Sequence, residues 1–132
     1  MKVLLTLSPI LVLIIANASA KLVVQVDEPQ RVSEKAVVKL TLKNTFKEKI
    51  ESARATVFLL NDQKVVAQAT QWVIGGGKDK GPLLPDKTTT YNFVINTDKP
   101  FTTNRVVFTR IILEGGKQVD PTKSVEIEAR SP

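Results

Sequence analysis

The sequence predicts an all-β chain, folded as an antiparallel β-sandwich. Three observations carry that expectation. Short β-prone runs alternate apolar and polar residues. Connections rich in Gly, Pro, Asn and Asp separate them at regular intervals. No segment repeats its apolar residues at a helical period.

The front of the chain stands apart from this pattern. Met1–Ala20 has a positive start at Lys2, an apolar run over Val3–Ile15, and small residues at Ala18 and Ala20. Those are the three parts of a secretory signal peptide, with cleavage expected after Ala20. The run falls short of the ~20 apolar residues that span a bilayer. Residues 21–132 are then the mature domain, and no later run is long enough to make it membrane-spanning.

The expected strands follow in order. Lys21–Val26 alternates Leu22, Val24 and Val26 against Val23 and Gln25, and Pro29 ends it by lacking an amide donor. Lys35–Asn44 places Ala36, Val38, Leu40 and Leu42 on one face, with a lysine stripe (Lys35, Lys39, Lys43) on the other. One wet face is what an antiparallel sheet allows. Ile50–Leu60 is apolar on both faces in part, as a central strand would be. Asn61–Lys64 then reads as a hairpin turn. Lys64–Ile74 has a blurred alternation, which predicts a bulge or a change of sheet. Gly75–Pro85 is the main loop. Thr88–Asn96 carries Thr89, Tyr91, Phe93 and Ile95 on one face. Arg105–Leu113 is strongly β-prone, and Glu114–Lys117 is a tight turn. Lys123–Ala129 closes the chain, with Val125, Ile127 and Ala129 expected inward. About seven short strands at this spacing predict an immunoglobulin-like sandwich.

Leu40-x-Leu42-Lys43-Asn44, Ala53-x-Ala55-x-Val57, Asp62-x-Lys64-Val65-Val66 and Leu84-Pro85-Asp86-Lys87-Thr88 before Tyr91-x-Phe93 share an order and spacing. In these motifs the chain resembles the FxLYD/CARDB-type immunoglobulin-like domains of secreted and cell-envelope proteins. Asp86 stands where that pattern usually has a turn glycine, and Thr56–Leu60 replaces the sequence that names the first family. The resemblance implies an immunoglobulin-like fold and a non-enzymatic adaptor role, and it carries over no site residue.

Composition narrows the chemistry. The chain has no His and no Cys. That removes imidazole acid–base catalysis, a thiol nucleophile, and the ordinary zinc and copper sites. It also removes disulfides, so the fold must stand on packing and strand pairing. None of the serines sits in a G-x-S-x-G elbow. Glu48/Glu51 and Glu126/Glu128 are close in sequence but sit at strand ends or turns, where solvated carboxylates are expected. Gly75-Gly76-Gly77-Lys78 lacks the Ser/Thr and the following helix of a phosphate loop. The expectation is a protein that is not an enzyme and takes no cofactor and no metal.

The formal charge is +6, or +5 without Lys2, and the lysines are dispersed rather than clustered. Together with export, this excludes nucleic acid as the expected partner. Trp72, the only tryptophan, borders the flexible loop with Lys78 and Lys80. These three are the candidate binding residues, because an exposed aromatic beside cations anchors a protein partner or a glycan. Packing within the fold is the competing role for Trp72, and Phe101 is expected to plug one end of the sandwich. The expected function is an exported, secreted or periplasmic, non-catalytic binding or structural module. Its partner would be a protein at the cell envelope or outside the cell, met through a sheet edge or the Gly75–Pro85 loop. The alternatives are carbohydrate or anionic-polymer binding through Trp72 and the basic face, and a secreted protease inhibitor.

Overall fold

The structure, a computed structural model, describes residues 20–77 and 80–129. The leader expected over Met1–Ala20 lies outside the described residues except for Ala20, and so does Lys78.

Nine strands form two sheets: β1 (Leu22–Val26), β2 (Gln30–Val32), β3 (Lys35–Asn44), β4 (Ile50–Asn61), β5 (Lys64–Ile74), β6 (Thr88–Asn96), β7 (Thr103–Leu113), β8 (Lys117–Val119) and β9 (Val125–Ala129). All seven expected strands are present. The short β2 and β8 are additional, and Lys123 and Ser124 belong not to β9 but to a single helical turn, α1 (Pro121–Ser124).

The first sheet is built on β3. One edge of β3 pairs with β6 along Lys35–Lys43. Its other edge pairs first with β2 and then with β1. β9 completes the sheet beyond β1, and it runs parallel to β1, from Leu22↔Val125 to Val26↔Ala129. This is an exception to the antiparallel expectation. It arises because the chain crosses from one sheet to the other before β9 begins. The second sheet has the order β5-β4-β7-β8.

The two inner faces make the core. Ala36, Val38, Leu40 and Leu42 of β3 face Ala53, Ala55, Val57 and Leu59 of β4, and all eight are fully buried. Phe93 sits among them and stacks edge-on against Tyr91 at 5.5 Å. β4 lies between β5 and β7, the central position its two apolar faces predict. The blurred alternation of β5 resolves into two bulges, at Val66 and Val73, where the register with β4 slips. Two further slips occur between β4 and β7, at Glu51 and Thr109.

The turns follow their residues. Asp62 and Gln63 both take positive φ in the β4–β5 hairpin, the primed-turn geometry that matches strand twist. Gly115 and Gly116 do the same after β7. Phe101 is half-buried against the core, with the Arg31 guanidinium 4.7 Å above its ring. Arg31 also donates to the carbonyls of Thr97 and Lys99, so β2 clamps the loop that Phe101 anchors. Among the described residues, no helix is long and apolar enough to cross a membrane.

Candidate functional site

The exit of β5 gathers two of the three candidate binding residues. Trp72 is half-buried on the outer face of the second sheet, paired across to Arg54. The Arg54 guanidinium lies 5.4 Å from its ring centre. Gly76, at φ +78, packs so close that a Cβ there would lie 2.4 Å from Trp72 Cγ. The loop can pass here only as glycine. Lys80 turns back over this corner. Its ammonium donates to the Trp72 carbonyl at 2.8 Å and sits 4.7 Å over the Tyr91 ring. The Tyr91 hydroxyl in turn donates to Gln71 Oε1 at 2.6 Å. Lys80 and Trp72 are therefore brought together, with the lysine's charge used to fasten the loop across the β5–β6 seam.

The lysine stripe is elsewhere. Lys35, Lys39 and Lys43 project from the outer face of the first sheet, beside Asn96, Asn92 and Thr88 of β6. Trp72 and this stripe lie on opposite faces of the sandwich and do not form one surface. Three of the four paired carboxylates are engaged at the surface. Glu48 meets Lys117 at 3.0 Å, Glu51 accepts from the Gly115 amide at 3.1 Å, and Glu126 lies 3.9 Å from Lys21.

The feature that sequence reasoning missed is the free edge of β7. β8 pairs only with Ile111, Ile112 and Leu113. After it, Asp120 caps α1, accepting from the Thr122 amide and hydroxyl, and the chain leaves for the first sheet. Among the described residues, no strand lies on the side of β7 away from β4 between Thr103 and Arg110, and α1 packs against part of that stretch. Directly in front of this edge is a cleft of about 570 Å³. It is lined by Val26, Val106, Ile127 and Ala129 together with the polar Asp27, Glu28 and Asn104.

The cleft has a simple cause. Ile127 and Ala129 share a face with Val24 and Val26, so they point inward as the alternation predicts. They nevertheless remain exposed, Ile127 by 44%. The second sheet supplies no strand opposite them. The signal available in the sequence was Asp120-Pro121, a helix-start pair that breaks the final β run.

The outer face beside this edge is cationic. Arg105 lies over the Phe58 ring at 5.1 Å. Arg54 and Arg110 are direct cross-strand partners. β5 and β7 contain no acidic residue, and the one in β4, Glu51, is spent on Gly115.

No family model matches this chain, and no curated protein matches it. Two solved structures are similar to it. One is a Bordetella pertussis protein assigned as ApaA, at 15% identity and a TM-score of 0.53, covering 76% of this chain and 88% of that one. The other is IrmA from Escherichia coli, at 12% identity and a TM-score of 0.53, covering 85% of this chain and 96% of that one. At such identities the likeness is one of fold alone.

Proposed function

We propose that this protein is an exported, non-catalytic module that binds a protein partner by accepting an extended segment along β7. The observation that carries the reading is the stretch of β7 edge with no strand beside it, facing a cleft where Ile127 and Ala129 are exposed. Unpaired strand amides and carbonyls are a template for another chain, and folds normally blunt them. The other edges here are blunted. β5 carries two bulges, and residues 80–83 of the loop border a pocket with Thr89–Tyr91 of β6. β9 is short and carries Glu126 and Glu128. Export is supported by the Met1–Ala20 pattern, and absence of catalysis by a chain without His or Cys.

A second reading, an anionic polymer held on the outer face of the second sheet, is favoured by Arg54, Arg105 and Arg110 beside Trp72. Arg54 and Gly76 crowd the Trp72 ring, so that face offers charge rather than a platform for sugar stacking.

Photo-crosslinking in living cells separates the two. A photoreactive residue at Val107, 42% exposed on β7, is expected to trap a discrete protein partner. The same residue at Val94, equally exposed on β6, is expected to trap none. Equal adducts at both positions would remove the reading. Loss of the Val107 adduct, with salt-sensitive polymer binding abolished by Arg54→Glu and Arg105→Glu, would put the second reading in its place.

A further inference from the structure

We infer that the segment added along β7 alternates apolar side chains, which enter the cleft, with acidic side chains on the outer face, where one lies against Arg105. This rests on the strand-addition reading above and specifies the chemistry of its partner.

The inner half of the pattern follows from the cleft. A strand placed beside β7 continues the second sheet by one position. Its inward side chains then fall between Val106 and the uncovered Ile127 and Ala129. Apolar groups gain most there, because removing Ile127 from water is the driving force, and Asp27 and Glu28, which also line the cleft, disfavour an inward carboxylate.

The outer half follows from charge. Side chains directly opposite one another on neighbouring strands interact, favourably for opposite charges and unfavourably for like ones. On the outer face the added strand would stand next to Arg105, whereas beside Arg110 the edge is taken by the chain's own passage from β8 into α1. The sheet already sets Arg110 directly opposite Arg54. Among the described residues the ion pairs are Lys21–Glu126 and Lys117–Glu48, neither of which touches these arginines. Arg105 is the arginine that borders the open stretch of the edge, and a carboxylate arriving from outside would be its acidic partner. The argument also disfavours a second copy at this edge. Pairing β7 with β7 would bring the Arg105 side chains of both molecules to one seam. The chain's own acidic, alternating strand is β9, and β9 is committed to β1.

The test uses the exported form of the protein and three synthetic nine-residue peptides. Each has Val at alternate positions and Glu, Ser or Lys between them. Affinity is measured by titration, and the site by amide exchange along Thr103–Val107. The Glu peptide should protect β7 and bind more tightly than the Ser peptide, by up to about fivefold for each opposed pair. The Lys peptide should bind least. Arg105→Glu should reverse the order of the Glu and Lys peptides, and Ile127→Asp should weaken all three. If the Ser peptide protects β7 and binds as tightly as the Glu peptide, the acidic specification is overturned while strand addition stands. If no peptide protects β7, strand addition itself fails. Sedimentation supplies the remaining outcome. A dimer with β7 already protected, in the absence of peptide, would make the occupant a second copy and overturn the inference.

Discussion

Asn44 is polar and fully buried, and each of its hydrogen-bonding groups is engaged. Its side-chain amide donates to the Glu48 carbonyl at 3.0 Å and the Leu83 carbonyl at 2.9 Å. Its side-chain carbonyl accepts from the Phe46 amide at 2.8 Å. Its backbone amide donates to Lys87, and its carbonyl accepts from Asp86. One residue thus ties the end of β3 to the following turn and to the segment that leads into β6. Buried groups left unpaired cost more than the net worth of the bonds they made. Asn44→Ala is expected to lower stability by about 3 kcal/mol, since it strands the Glu48 carbonyl and the Phe46 amide and takes one of two donors from the Leu83 carbonyl. A urea-unfolding midpoint that hardly moves would contradict this. The sequence showed Lys43-Asn44 as a strand end but could not show burial, which depends on a loop some forty positions away folding over it. Asp86, directly after Pro85, adopts a left-handed φ of 63°. Aspartate tolerates that conformation better than most residues do.

At the scale of elements, the strands were legible because each has a period of two and one buried face, and register follows from which face must be inside. The crossover was not legible, because four residues of helix carry no periodic signal. Yet the crossover decides where the open edge lies. It depends on Asp120, whose carboxylate is held below its ordinary value of 3.8 by the Thr122 hydroxyl, then by the Thr122 amide, with Lys123 adding to the effect. The folded value is the lower one, so the cap contributes above the unfolded value and is lost as pH falls through the folded one. Acidification should therefore loosen α1 and shift the methyl signals of Val125 and Ile127. Asp120→Ala should show the acid-like signals already at neutral pH and no further change in acid. Identical titration of those methyls in both proteins would exclude the role given to the cap.

The whole molecule is a sandwich filled at one side and open at the other, and stability should divide the same way. Where β3 faces β4, side chains are closed in from both sheets. Leu40 there is fully buried, and Leu40→Ala should cost about 3 kcal/mol, a large share of the roughly 5–15 kcal/mol that holds a domain of this kind. Among the described residues no cysteine is available to offset such a loss. Where β9 faces the cleft, Ile127 has apolar neighbours on one side only. Ile127→Ala should change stability by no more than about 0.5 kcal/mol, as at an ordinary surface position. With a segment bound along β7, the same substitution should instead weaken binding, because the bound strand is what would complete the packing around Ile127. Equilibrium unfolding of both variants, with and without the valine–glutamate peptide, measures this directly. A large cost for Ile127→Ala in the free protein would mean the cleft is already filled. No effect of Ile127→Ala on binding would mean the partner does not enter it. A small cost alone and a clear loss of affinity is the pattern expected of a sandwich that leaves one strand's place to another protein.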